Sequence, residues 1–280
     1  MRLNGSRAAM VAGVAVLAVG GSVAVAGRYG FHDRSAELKS QISPKTPKNV
    51  IILIGDGMGD SEVTLARYYG KGAAGRMNMD RLAFRGSSIH YVLSPGAGPV
   101  YAPNYAGDSA PTATAWSTGK RTIDGRLSQG PSTAVNVPGA NRGYTTYMEI
   151  AHRRGKATGN VSTAEITDAT PAGPSSHISQ RACQGPADAR ATCPSETKAA
   201  GGLGSIAEQQ VDQGFDVYLG GGRSRYTQTV TADAPTTVLD VAKKKGYAQQ
   251  PATAADLAKV KSLRKGKVLG LFNDSNMTTE

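Results

Sequence analysis

The segment NVIILI, Asn49 to Ile54, is apolar at every position after Asn49, the pattern of a strand covered on both faces of a parallel sheet. It runs into Gly55-Asp56-Gly57-Met58-Gly59, a glycine-rich turn, after which Asp60 and Ser61 open a helix to about Tyr69 with Glu62 in its first turn. Helical spacing recurs over 78–84, 147–154, 205–213, 237–245 and 253–264, with Gly155 and Gly214 placed to stop two of these helices. Short apolar runs of strand length fall at 88–93, 156–161, 215–219 and 268–272. This alternation predicts an α/β domain with a mostly parallel sheet. Sites in such sheets form at the carboxyl ends of the strands. Two predicted loops lie there, one carrying Asp56 and the other, over 162–171, carrying Asp168 and Thr170.

The stretch GDSAPTATAWSTGKRT, residues 107–122, predicts a helix with clear ends. Asp108 is a good N-cap, Ser109 is the first helical residue, and Pro111 sits in the first turn where its missing N–H costs nothing. Gly119 is the terminator, and Lys120 and Arg121 complement the negative end of the dipole. A serine hydroxyl at a helix N-terminus meets outward-pointing N–H groups and about half a positive charge, which favours an alkoxide and a phosphate beside it. Taken alone, the stretch also fits a plain N-capped alanine-rich helix.

Chain ends, cysteines and charge narrow the class. Arg2 and Arg7 precede an apolar run from Ala8 to Ala26 that closes on Ala24-Val25-Ala26, so residues 1–26 read as a secretory signal peptide. The run approaches membrane-spanning length, but its small residues favour a cleaved leader over an anchor. Residues 27–46 then read as a polar linker and 47–280 as the domain, an exported protein with no stable membrane span after cleavage. Cys183 and Cys193 flank a polar loop without a histidine, which favours a local disulfide over a zinc pair. The net charge of +11 is concentrated near the end, where Lys243, Lys244, Lys245, Lys259, Lys261, Arg264, Lys265 and Lys267 face only Asp256. Tyr247 is the one aromatic residue among them, too few for base stacking, so these read as solvated helix faces and nucleic acid is not expected as a partner.

Hard oxygen ligands from separate strand ends suit a divalent cation, and a nearby serine suits covalent phosphoryl transfer. Individually, Asp56 also fits a glycine turn, and Asp168 with Thr170 fits an ordinary turn before Pro171. Together, NVIILIGDGMGDSE, DSAPTATAWSTGKRT, GNVSTAEITDATPA and LGLFNDSNM, in that order, closely resemble the bacterial alkaline phosphatases over about Pro47 to Met277. The resemblance implies a three-layer αβα, alkaline-phosphatase-like fold that hydrolyses small phosphate monoesters, with Zn2+ and Mg2+ as cofactors and a homodimer in the complete protein. It implies that Ser109 is the transiently phosphorylated nucleophile and that Arg181, in HISQRAC, grips the substrate phosphate through its planar fork. Asp56 matches an aspartate bridging zinc and magnesium, and Asp168 and Thr170 match magnesium ligands. One zinc would favour the Ser109 alkoxide and another the leaving oxygen.

The family carries most zinc ligands in the second half of its domain, and this chain offers only His32, His90, His152 and His177, none in a matching motif. All four are expected to be structural or solvated. The chain therefore reads as the amino-terminal part of such a domain, inactive or weak alone. A sulfatase-like hydrolase is a rival on Ser109-Ala110-Pro111, although Ala113 stands where that motif needs arginine. A P-loop at Thr118-Gly119-Lys120 fails, because Arg121 replaces the required Ser/Thr and the triplet ends a helix. A non-catalytic exported phosphate-binding protein is the alternative from another class.

Overall fold

A computed structural model of the chain describes residues 36, 39–40, 42, 45 and 47–278, without 83, 87, 89, 97, 133–142 and 234. The expected signal peptide, most of the linker, and His32 lie outside the described residues. The chain divides into two units, Met1–Ser87 and Ser88–Glu280.

In the first unit, the run expected to be a buried strand is not one. Val50 to Ile54 are exposed, Ile51 at 86% and Leu53 at 91%, and pair with no strand among the described residues. An apolar run becomes a buried strand only when neighbouring chains accept its backbone bonds and cover its faces, and here neither occurs. The local features downstream form as expected. Gly57 takes φ +69° in the turn, and helix α1 (Asp60–Lys71) follows, although it buries no residue. The segment 78–84 forms only a 3-10 turn, Asn78–Arg81. Asp80 in that turn accepts from Arg67 Nε at 2.9 Å and Nη2 at 2.8 Å. The Arg67 guanidinium, helped by the Met77 N–H, holds the Asp80 carboxyl well below the usual carboxylate range.

The second unit holds the sheets. Strands β1 (Val92–Leu93) and β2 (Pro103–Asn104) pair antiparallel ahead of helix α2 (Ser109–Thr118). Helix α3 (Tyr147–Arg153) is closed at its start by Thr146 and Glu149, each side chain bonding the other's backbone N–H. Strands β3 (Gly159–Glu165), β4 (Val217–Gly221) and β5 (Val268–Leu271) make a parallel sheet in that order. Between them come the short helix α4 (Ala169–Ala172), α5 (Pro186–Thr192), α6 (Ile206–Gln213), α7 (Arg223–Tyr226) and α8 (Val238–Lys244). The expected helix over 253–264 breaks into α9 (Ala254–Leu257) and a 3-10 turn, because Ser262 accepts from Arg264 N and starts a new turn.

Two apolar clusters hold this unit. Met148, Ile166, Val211, Phe215, Tyr218, Tyr226, Val238, Tyr247, Leu269 and Leu271 form the larger one, between the sheet and α6 with α8. The other gathers Ala110 and Ala113 of α2, Ala169 and Ala172 of α4, and the disulfide-bonded Cys183 and Cys193, whose Cα atoms are 6.4 Å apart. No helix among the described residues is long and apolar enough to cross a membrane.

Candidate active site

Helix α2 begins where local chemistry dictates. Asp108 has extended backbone and its Oδ1 accepts from Ala110 N at 2.7 Å, while Gly119 turns left-handed at φ +72° and ends the helix. The buried face of α2 is built from small residues, which lets neighbouring backbone come close. A Cβ on Gly173 would lie only 2.7 Å from that of Ala113. Thr114 Oγ1 donates to Arg126 O and accepts from Ser128 N, so α2 is tied to the segment 125–129. Ser109 therefore stands on a fixed helix, half-buried, at its first position.

Arg181 reaches Ser109 from elsewhere in the unit. Its segment pairs with 125–127: Leu127 N donates to Ile178 O, Ile178 N returns a bond to Leu127 O, and Arg181 N donates to Gly125 O at 2.7 Å. Two residues further on, the buried Cys183–Cys193 bridge fixes the chain, and Ile206 N donates to Cys183 O. The guanidinium then donates from Nη1 to Ser109 Oγ at 2.7 Å and from Nη2 to Asp168 Oδ1 at 2.5 Å. Asp108 Oδ2 stands 3.8 Å from Nη1.

Asp168 ends the turn after β3 and caps α4, accepting from Ala169 N at 2.8 Å, and Thr170 is the second residue of that helix. So Ser109, Arg181 and Asp168 come together, with Thr170 two positions from Asp168. Asp56 belongs to the first unit, exposed in the turn after Ile54. Arg181, which only the resemblance singled out, is a half-buried link between a hydroxyl and two carboxylates.

Sequence reasoning missed the residues that aim this group. Asp124 Oδ1 accepts from Asp108 N at 3.1 Å, and Asn104 Nδ2 holds its other oxygen at 3.0 Å. Gly125, at φ +78°, donates from N to Asp108 Oδ2 at 3.2 Å while its carbonyl receives Arg181. The Asp-Gly pair at 124–125 is a turn signal that could have drawn attention there. Asp108 was read only as a cap, and it serves both ends of this arrangement.

Among the described histidines, His177 is tied into the fold. His177 presents Nδ1 to Ser128 O at 2.9 Å and Nε2 to Glu149 Oε1 at 2.8 Å. A carbonyl on one nitrogen and a carboxylate on the other require both to donate, which is the imidazolium form. Burial pushes His177 down, yet the Glu149 carboxylate and the Ser128 carbonyl outweigh it and raise the ring above its ordinary value. Burial likewise pushes Glu149 up, but His177, the Thr146 N–H and Gln213 bring it to about 2. His152 lies edge-on to Phe215, and His90 is exposed.

A surface of this kind can grip a tetrahedral anion against a hydroxyl. Two of the five N–H groups of Arg181 are engaged among the described residues, and the free end of α2 adds its dipole. The fit to metal ions is poorer. Among the described residues no three His, Cys, Asp or Glu side chains gather into a group able to hold an ion. Asp168 spends an oxygen on Arg181. These donors do not by themselves fit a zinc ion, which takes four ligands, or the octahedral shell of magnesium.

Comparison with known proteins identifies the family. The alkaline phosphatase family model matches residues 47–280. The streptomycin-6-phosphate phosphatase of Streptomyces griseus is 46% identical over 82% of this chain and 48% of its own length. The alkaline phosphatase of Escherichia coli K12 is 43% identical over 88% of this chain and 50% of its own length. The solved alkaline phosphatase of the Antarctic bacterium TAB5 superposes with a TM-score of 0.57 at 26% identity, covering 84% of this chain and 56% of that one. A variant of that enzyme holds Mg in its M3 site. The chain spans about half the length of the curated relatives it matches. With its motifs, its parallel sheet and these matches in agreement, the chain belongs to the alkaline phosphatase family.

Proposed function

We propose that this chain carries the phosphate-handling part of an exported phosphomonoesterase that works through a phosphoserine. The observation that carries the reading is the Arg181 guanidinium held between Ser109 Oγ and Asp168 at the N-terminus of α2. In the proposed reaction, Ser109 Oγ bonds to phosphorus as the ester P–O bond breaks. The serine proton passes to solvent, and the departing alcohol oxygen takes one from water. Water then cleaves the phosphoserine, releasing inorganic phosphate and restoring the hydroxyl. Arg181 and the α2 N-terminus bind the non-bridging oxygens, whose charge must be stabilised throughout.

Asp168 and Thr170, close together in the second unit, are proposed as two oxygen donors toward Mg2+, which would need further ligands to complete its shell. The metal-binding role that the resemblance gives Asp56 is proposed separately for the first unit. Zn2+ would need ligands beyond any group gathered among the described residues. Slow turnover by the chain alone is part of this reading. Small phosphate monoesters are the proposed substrates, and export and assembly as a homodimer belong to the same reading.

The test is covalent trapping. Incubation with radiolabelled phosphate followed by acid quench is expected to leave label on the chain, and none on Ser109→Ala. Arg181→Ala should keep a trace of label while weakening phosphate binding by roughly 100-fold, the loss of a charged, doubly bonded contact. Unlabelled wild type that still binds phosphate by calorimetry would favour the non-catalytic binding protein. Faster turnover of sulfate than of phosphate esters would favour the sulfatase-like one.

A further inference from the structure

The basic end of the chain is more organised than a solvated helix face. Helix α8 ends at Lys243, Lys244 and Lys245, and a second basic run holds Lys261, Arg264, Lys265 and Lys267. The fold brings the two runs together. Lys267 N donates to Gly246 O at 2.9 Å, Gln249 pairs in parallel with Val268, and Gln249 Nε2 donates to Ser262 O at 3.0 Å and Gly266 O at 2.7 Å. A Cβ on Gly266 would come 2.9 Å from Gly246 O, so this approach requires a residue without a side chain.

The carboxylates nearby are already committed. Asp212 pairs with Lys198 and Lys245, and Asp256 with Lys259 and the hydroxyl of Thr253. Asp240 accepts from the Thr237 hydroxyl and N–H, and offsets part of the charge of Lys244 and Lys243 without an ion pair to either. Lys243, Lys244, Lys261, Arg264 and Lys265 are all exposed, and none makes an ion pair among the described residues. Like charges gathered this way repel one another and raise the free energy of the compact state unless an anionic partner neutralises them.

One further residue identifies the partner. Leu263 is 42% exposed in the 3-10 turn Leu263–Lys265, with Lys261 on one side and Arg264 and Lys265 on the other. An exposed apolar side chain flanked in sequence by exposed cations is suited to the headgroup region of a bilayer, where cations meet lipid phosphate and a leucine enters the acyl boundary. Nucleic acid fits less well. The nearby aromatic ring, Tyr247, is fully buried under Lys267 and offers no face for stacking. We propose that the surface formed by Lys243, Lys244, Lys261, Leu263, Arg264 and Lys265 docks the protein on an anionic phospholipid bilayer. It lies wholly within the second unit and is independent of the catalytic reading.

Vesicle co-sedimentation of the full chain tests this, with phosphatidylcholine vesicles that either contain or lack phosphatidylglycerol. Wild type should bind the anionic vesicles at least tenfold more tightly, an advantage that falls steeply as salt rises. The triple variant Lys261→Glu, Arg264→Glu, Lys265→Glu should lose that advantage, and Leu263→Ser should weaken anionic binding by about threefold. These positions are exposed, and an unchanged melting curve will show that the fold survives. The apolar leader is common to wild type and variants, so their difference isolates this surface. Equal binding to both vesicle types, a triple variant that binds like wild type, or tighter binding to duplex DNA than to anionic vesicles would overturn the proposal.

Discussion

The runs Val50–Ile54 and Val268–Leu271 have similar apolar lettering and opposite surroundings. Every residue of β5 is buried, while every residue from Val50 to Ile54 is exposed. Their neighbours differ. Strand β5 is bonded to β4 through Val268 N to Asp216 O and Phe272 N to Gly220 O, and Leu269 N donates to Gln249 O on its other side. Its inward residues Leu269 and Leu271 pack with Tyr218 and Tyr247. Hydrophobic pattern thus states a need for burial, and non-local partners decide whether it is met. The same contrast runs through the two units. The second has its apolar clusters and its disulfide, whereas α1 in the first buries nothing and is held by polar bonds such as Arg67 to Asp80.

The contrast is tested most strongly in the larger cluster. Phe215 is fully buried, stacked on Tyr218 at 5.9 Å, with its carbonyl accepting from Tyr247 Oη. Phe215→Ala should remove about 3–5 kcal/mol of stability, through lost burial and the cavity it leaves. Urea denaturation followed by tyrosine fluorescence would measure it. A loss below about 1 kcal/mol would mean that this cluster is as loosely held as the first unit, and the contrast would fail.

A smaller, pH-dependent effect is expected at the buried pair His177–Glu149, which holds the segment leading to Arg181. Glu149 has its pKa lowered to about 2 from an ordinary 4.5, so its contribution is present above pH 4.5 and is lost as pH falls toward 2. His177 is raised above its ordinary 6.5, so its contribution is complete below pH 6.5 and is lost as pH climbs through the raised value. The pair should therefore stabilise most between about pH 4.5 and 6.5. Glu149→Gln should cost about 2 kcal/mol at pH 6, in the range for a buried charged bond, and less at pH 10. Equal losses at the two pH values in parallel denaturation curves would show that the imidazolium is not what Glu149 serves.

How far the sequence could be read follows the same division between local and distant causes. Helix α2 was legible to the residue because Asp108, Pro111 and Gly119 act within a turn of themselves. The start of β3 was misplaced because it is set by Thr158 N donating to Asp216, 58 residues away. The strand also continues through 162–165, where a loop was expected, because Ile166 N and Glu165 N find partners at Gly221 O and Asn276 Oδ1. The link from Arg181 to Ser109 spans 72 residues and has no local signature. Only resemblance to a family pointed to it. Aspartate 124 was passed over because a turn residue and a positioning residue look alike in a sequence.

The smallest effect is expected in the exposed run. Leu53 is 91% exposed, so Leu53→Ser should change unfolding free energy by less than about 0.5 kcal/mol, the range of an ordinary surface substitution. Solubility should respond instead. Five consecutive β-branched or leucine residues without charge form an aggregation-prone window, and a polar residue at its centre interrupts the pairing of one copy with another. Light scattering at rising protein concentration should therefore separate the variant from wild type while denaturation curves do not. If Leu53→Ser instead costs about 2 kcal/mol or more, the run is buried in solution against a partner, and its need for burial is met after all. Val50–Ile54 and β5 would then be two instances of one rule, and the exposure of the first would need a different explanation.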